Sequence, residues 1–273
     1  MRATMDETRV RRALFLSDLH LGWVACHELH QRLLDRLPEA VGDAELIVLN
    51  GDILDAYRGF VRACDTELAA RLAGLVRQWR REGRRVVYVE GNHDPPGTGA
   101  YTPGLAAVVP EPGLRPEAWR FDFVGADGER VRVLHGHRFS EVAEPLGPYE
   151  GQGRRLLALE NRLQAEHPVV QSMYRSGGGW LVGAVGFCET TLWRGRFPAR
   201  VAPLLGDCDV LVHGHFHFGP GRWRIGGKPA FKTGPLASAG HFGSVDRLLR
   251  YDFGRFQRLA LGERGFVAVD DDS

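Results

Sequence analysis

Three short apolar runs constrain this chain more than any other feature of it. Ala13-Leu14-Phe15-Leu16, Leu46-Ile47-Val48-Leu49 and Val86-Val87-Tyr88-Val89 are continuous rather than alternating, which is the pattern of strands buried on both faces. Between the first two, Leu29, Leu33, Leu34 and Leu37 recur at helical spacing within Glu28 to Val41. Between the second and third, Leu68, Leu72, Leu75, Val76 and Trp79 do so within Thr66 to Gly83, with Arg71, Arg77, Arg80 and Arg81 largely off that face. Strand, helix, strand, helix, strand with short connections predicts a parallel sheet with right-handed crossovers. Pro38 is expected to kink or end the first helix, Thr66 to cap the second and Gly83 to close it.

In such a sheet a ligand binds beyond the carboxyl ends of the strands. The three runs lead there into Ser17-Asp18-Leu19-His20, Asn50-Gly51-Asp52-Ile53-Leu54-Asp55 and Gly91-Asn92-His93-Asp94, the last cut off by Pro95-Pro96-Gly97. Further on, Phe121-Asp122-Phe123-Val124 and Val131-Arg132-Val133-Leu134 read as a hairpin through Ala126-Asp127-Gly128, returning into His135-Gly136-His137. Asp209 to Val212 forms a strand that ends in His213-Gly214-His215-Phe216-His217. Residues two apart in extended chain share a face, so His215 with His217, and Asp18 with His20, are aimed at one point. Gly214, lacking Cβ, lets backbone come close to a metal or phosphate.

Taken alone, Ser17-Asp18 would serve as well to cap a helix. Taken together, Asp18, His20, Asp52, Asn92, His135, His215 and His217 are too many ligands for one four-coordinate ion. They suit two ions that share a carboxylate, and Asp52 is the natural bridge because its two oxygens can serve both. His137 and His213 read as packing or supporting residues. His27, His30, His167 and His241 read as ordinary histidines, with His241 a possible pocket lining.

The rest of the chain sets limits. With 273 residues it can bury a core, and 35 basic against 34 acidic residues provide no global field for nucleic acid or membrane. Cys26, Cys64, Cys188 and Cys208 lack paired short spacing and fit a reducing compartment, so a cytoplasmic protein without a transmembrane segment is expected. Residues 138 to about 207 break the sheet rhythm. Arg154 to His167 reads as helix, Gly177-Gly178-Gly179 as a joint, and Trp180, Leu181, Phe187, Leu192 and Trp193 as an apolar supply. This stretch is expected to be a helical cap inserted into a single domain spanning 1–273. Late strands are expected at Arg222 to Ile225, Pro229 to Thr233, Leu248 to Phe253 and Phe256 to Leu261, with a frayed tail at Asp270-Asp271-Asp272.

The ordered set Asp18-x-His20, Gly51-Asp52-x-x-Asp55, Gly91-Asn92-His93-Asp94, His135 and Gly214-His215-x-His217 resembles the calcineurin-like metallophosphoesterase family. The resemblance implies an α/β fold in which a sandwich of two mixed sheets is flanked by helices. It also implies a division of ligands: Asp18, His20, Asp52 and His217 for one ion, and Asp52, Asn92, His135 and His215 for the other. Mixed oxygen and nitrogen ligands favour manganese, iron, zinc or cobalt, with manganese the expected pair. Two such ions roughly 3.5–4 Å apart neutralise a phosphoryl group and acidify a water held between them, for in-line attack on a phosphodiester or pyrophosphate. His93 is then the expected catalytic acid and substrate contact, with Asp94 orienting it and Asn92 binding both metal and substrate.

Asp18-Leu19-His20-Leu21, the insertion between His135 and His215, and Gly234-Pro235-Leu236 are similar to the UDP-2,3-diacylglucosamine pyrophosphatase branch. That branch usually has arginine at the position of His93 and aspartate at that of His137. A lipid-linked or nucleotide phosphate ester is thus an expected substrate, with location at the inner membrane surface as its corollary. The competing readings are a phosphomonoesterase, including a protein phosphatase, and a non-catalytic scaffold of the same fold.

Overall fold

Each of the three apolar runs becomes a strand, and each buries both of its faces. The computed structural model describes residues 2–23, 26–55, 63–94, 114, 116–137, 197–215, 221–234 and 247–269. In it β2 (Arg12–Leu16), β3 (Leu46–Asn50) and β4 (Arg85–Val89) pair in parallel. The crossovers are α1 (His27–Val41) and α2 (Ala63–Arg81). On β2, Leu14 and Leu16 face the helices, meeting Leu33, Leu37, Leu72, Val76 and Trp79. Ala13 and Phe15 point the other way, into a second core with Val48, Val87, Phe121, Phe123, Phe231 and Tyr251. An unbroken apolar run is therefore required, since each side chain of this kind contributes about 1.5–3 kcal/mol when fully buried.

Two helix expectations change. Pro38 lies inside α1, which continues to Val41. Proline removes the hydrogen bond to Leu34, yet Leu37, Ala40 and Val41 beyond it are all buried, and that burial carries the helix through. α2 begins at Ala63, so Thr66 sits within its first turn and does not cap it. Its other end is as expected: Gly83 (φ 81°) donates to Arg80 O and Arg84 N to Trp79 O, a Schellman closure.

The second half of the sheet is built by β5 (Ala118–Gly125), β6 (Arg130–Leu134), β7 (Val210–His213), β8 (Arg222–Ile225) and β9 (Lys228–Lys232). β5 and β6 form the expected hairpin, while β6, β7 and β9 run parallel. On the other side, β10 (Arg247–Asp252), β11 (Arg255–Leu261) and β12 (Phe266–Val269) extend the sheet antiparallel from β2. The hydrogen-bonded order is β12-β11-β10-β2-β3-β4-β5-β6-β7-β9-β8. The two expected sheets are thus two halves of one curled sheet, linked between β4 and β5 through the pair Val89↔Ala118. β1 (Arg2–Val10), which the charged N-terminal sequence did not announce, pairs in parallel with β5. β12 was likewise not foreseen.

Of the expected cap, residues 138–196 lie outside the described residues, as do residues 270–273. Its last part is described: Phe197, Val201 and Leu205 pack on Leu134, Leu211, Ile225 and Ala230 of the second half. Arg132 of β6 fastens it, donating to both oxygens of Asp122 and to Leu204 O, with Asp207 at 3.0 Å. Among the described residues no helix is long and apolar enough to cross a membrane.

The interior between the halves depends on aromatic packing. Phe123 stacks on Phe15 at 6.2 Å and Phe121 at 6.0 Å, and meets Tyr251 edge-on at 5.9 Å. Phe123→Ala should lower the stability by about 3–5 kcal/mol. In a denaturant titration this should appear as a lower midpoint at unchanged slope.

Candidate metal centre

The strand-end loops are tied to one another by their backbones. Asp18 N donates to Gly51 O at 3.0 Å, His20 N to Asp52 O at 2.8 Å and Leu21 N to Ile53 O at 2.9 Å, so the loops after β2 and β3 run side by side. Across the sheet Gly214 N donates to His135 O at 3.0 Å, and His215 N reaches Asp18 Oδ2 at 3.2 Å. A Cβ on Gly214 would collide with Ser17 Oγ and crowd Asp18 and His135. The glycine expected for backbone approach to a ligand is needed first for the approach of one loop to another.

This tethering brings the sequence candidates together. Asp18, His20 and Asp52 present ligand atoms within 4.8 Å of one another, and so do Asp52, His135 and His215. Asp52 belongs to both groups. Its Oδ2 lies 3.2 Å from His135 Nε2 and 3.9 Å from His20 Nε2, and its Oδ1 accepts the His93 amide at 2.8 Å. All five of these residues are buried. Asp18, His20, Asp52 and His215 have φ of 55°, 48°, 52° and 68°, a left-handed conformation that L-residues adopt rarely and that clusters at functional sites. Asn92 sits between Gly91 and His93, and its buried Oδ1 has no hydrogen-bond partner among the described residues. His217 lies outside the described residues.

Other groups hold these in place. Asp94 accepts from the amides of Asp52 (2.8 Å), Ile53 (2.9 Å), Leu54 (3.1 Å) and Gly91 (2.8 Å), and from Tyr88 Oη. Both its oxygens are thereby committed to the turn that carries Asp52. The expectation that Asp94 orients the His93 ring is replaced: His93 Nδ1 faces Asp55 Oδ1 at 3.2 Å. Fully buried Asp55 also faces His20 Nδ1 at 3.5 Å, and the His20 and His93 rings meet edge-on at 4.6 Å. Asp55 was legible only as the last letter of Gly51-Asp52-x-x-Asp55, with no role attached. His135 Nδ1 donates to Asn50 O at 2.8 Å, which leaves Nε2 facing Asp52 as the atom that could ligate an ion on losing its proton. His137 is 5.6 Å from the His135 ring, whereas His213 lies on the other face of β7 against Phe197 and Trp223.

Charge in the pocket is finely opposed. Burial pushes Asp52 upward, but His135, His93 and His20 outweigh it and hold the carboxyl well below its usual range. Burial also lowers His20 and His215, keeping them neutral and able to donate a lone pair. For His135 burial works downward too, but Asp52 and Asp18 prevail and raise it to about 10. Burial and the Asp52 charge raise Asp94 to about 7, against its hydrogen bonds. Facing carboxylates, neutral imidazoles and an orphaned amide oxygen form a donor set that fits divalent cations.

A match to a family model agrees with this chemistry. A family model described as calcineurin-like phosphoesterase matches residues 11–219. With this pocket at its strand ends, the chain is a metal-dependent phosphoesterase. It belongs to the calcineurin-like phosphoesterase family. No curated protein matches it. Among solved structures it is similar to the cold-active protein-tyrosine phosphatase of a psychrophile Shewanella, with 16% identity, TM-score 0.45, and 99% of this chain and 82% of that one covered. It is also similar to Chaetomium thermophilum Vps29, with 13% identity, TM-score 0.43 and 95% of each chain covered. A dimetal phosphatase from Danio rerio is similar at 13% identity and TM-score 0.42, over 97% of this chain and 100% of that one.

Removing the Asp94 carboxylate strands several buried amides, each of which costs about 1–3 kcal/mol without an acceptor. Asp94→Ala should therefore lose at least about 3 kcal/mol of stability by denaturant titration, and Asp94→Asn, which keeps one acceptor oxygen, should fall between it and wild type. Metal uptake should strengthen as pH rises from 6 to 9. His135 favours its protonated form below about 10, so the ion must displace a proton from it. One displaced proton corresponds to about tenfold in affinity per pH unit, measurable by calorimetric titration with Mn(II).

Proposed function

We propose that this chain hydrolyses a phosphodiester or pyrophosphate bond with two divalent ions, manganese by preference. The observation that carries the reading is the pair of ligand groups that meet at Asp52. Asp18, His20 and Asp52, with His217, would hold one ion, and Asp52, Asn92, His135 and His215 the other. Bound there, the ions supply neutralisation of the phosphoryl oxygens and an acidified water as nucleophile. Asn92 adds a ligand without adding negative charge, which keeps the pocket receptive to an anion.

The remaining work falls to the chain's own side chains. Asp55 is an acceptor only when ionised, so His93 places its Nδ1 proton toward it and has Nε2 available for the leaving oxygen. Entering with both ring nitrogens protonated, His93 gives up its Nε2 proton to the leaving oxygen as the ester bond breaks and is left as the neutral ring whose Nδ1–H stays on Asp55. His93 is half-buried, its side chain 18% exposed, which keeps it reachable by substrate, unlike His20 behind it. The substrate is read as a lipid-linked or nucleotide ester and the compartment as the reducing cytoplasm. The buried free thiol of Cys208 supports the latter.

Bis(p-nitrophenyl) phosphate should be hydrolysed with added Mn(II) and left intact with chelator, and a phosphomonoester should be the poorer substrate. A reversed preference would establish the phosphomonoesterase reading, and no hydrolysis of either ester would leave the scaffold. A panel containing UDP-2,3-diacylglucosamine, cyclic nucleotides and a simple diester then ranks substrates by kcat/KM. His93→Ala should keep its metal, assayed by elemental analysis, and lose about 10²–10⁴-fold in kcat.

A further inference from the structure

Asn50 is a polar residue in the last position of an otherwise apolar strand, and its side chain is fully buried. Its amide nitrogen reaches Leu134 O at 3.3 Å and Thr233 Oγ1 at 3.4 Å. Thr233 Oγ1 in turn donates its own proton to His213 O at 3.0 Å, so toward Asn50 it can only accept. Both partners are acceptors, which fixes the amide with its NH2 facing them. The same residue's backbone carbonyl receives the His135 Nδ1 proton at 2.8 Å.

One residue of β3 thus grips the chain at Leu134 and the ring at His135, the next residue, while also touching the end of β9. β3 and β6 are not neighbours, since β4 and β5 lie between them in the sheet. The contact spans the curl. It joins the half that carries Asp18, His20 and Asp52 to the half that carries His135 and His215. Backbone pairing between the halves at β4 and β5 is a single residue pair flanked by two hydrogen bonds, Glu90 N to Ala118 O and Glu117 N to Tyr88 O, so side chains at this edge add to the register.

We infer that Asn50 is a positioning residue for His135: its amide sets the distance between the two halves of the ligand set, and with it the integrity of the ion site that uses His135. The inference rests on the two-ion reading given above. An apolar side chain would fill the space but cannot donate to Leu134 O or Thr233 Oγ1. Alanine leaves the Asn50 carbonyl in place but frees the strand ends it was holding.

The test is calorimetric titration of metal-free wild type, Asn50→Ala, Asn50→Leu and Thr233→Val with Mn(II), with circular dichroism and a thermal midpoint for each metal-free protein. Wild type should take up two ions. Asn50→Ala and Asn50→Leu should keep one binding event at wild-type affinity and lose at least tenfold in the other. Thr233→Val should weaken that same event by a smaller factor. A merely structural role would lower the metal-free midpoint and leave both affinities unchanged or reduce them equally, and either result overturns the inference. If the Asn50 variants do not fold, Thr233→Val decides alone, and equal affinities for both ions in it overturn the inference too. Wild type that binds fewer than two ions removes the two-ion reading and this inference with it, a result distinct from two normal events in an Asn50 variant.

Discussion

Asp52 can stand between two groups of imidazoles and carboxylates because Asp94 holds the turn beneath it. Four backbone amides converge on that one carboxylate, three of them from residues 52–54. A turn pinned in this way can keep Asp52 in a left-handed conformation that would otherwise relax at a gain of about 1–3 kcal/mol. The loop after β2 then pairs with this turn, and its own Asp18 and His20 take the same unusual conformation. The strain in these loops is sustained by hydrogen bonds that lead back to Asp94 and by apolar strands that cannot shift without exposing both cores.

The second constraint is electrostatic. Four buried carboxylates in one pocket, Asp18, Asp52, Asp55 and Asp94, repel, and burial alone would drive them to take up protons. Asp52 stays ionised chiefly because His135 faces it, and His135 takes up charge because Asp52 and Asp18 face it. The chain is thus balanced internally at the cost of one imidazole lone pair. Catalysis by the family's chemistry requires that balance to be broken by a cation and restored with greater positive charge, which suits an anionic phosphate ester.

Much of this was legible in the sequence because the signals were redundant. Strands buried on both faces announce themselves as apolar runs, and polar residues after such runs have few places to go except the sheet's edge. For Asp18, His20, Asp52, His135 and His215, position along the chain was enough to predict proximity. Roles that depend on side-chain direction were not legible. Asp94 and Asp55 are both carboxylates near a histidine, and only geometry separates the one that holds backbone from the one that faces His93. Asn50 read as the end of a strand because nothing in a linear sequence says which carbonyl an amide will meet across a curl. β1 escaped notice because its pattern is charged, and its strand is set by β5 rather than by its own propensity. Pro38 misled because tertiary burial outweighs a local rule.

The seam at Val89 and Ala118 has a consequence beyond geometry. The ladder there is one pair of residues and two hydrogen bonds long, shorter than the other pairings in the sheet, whereas ions held as proposed would grip residues from both sides of it. Cations bound to the folded chain and not to the unfolded one draw the equilibrium toward the folded form in proportion to their free concentration. Metal supply would then govern the lifetime of the polypeptide as well as its turnover, so that a starved cell would lose the protein along with its activity.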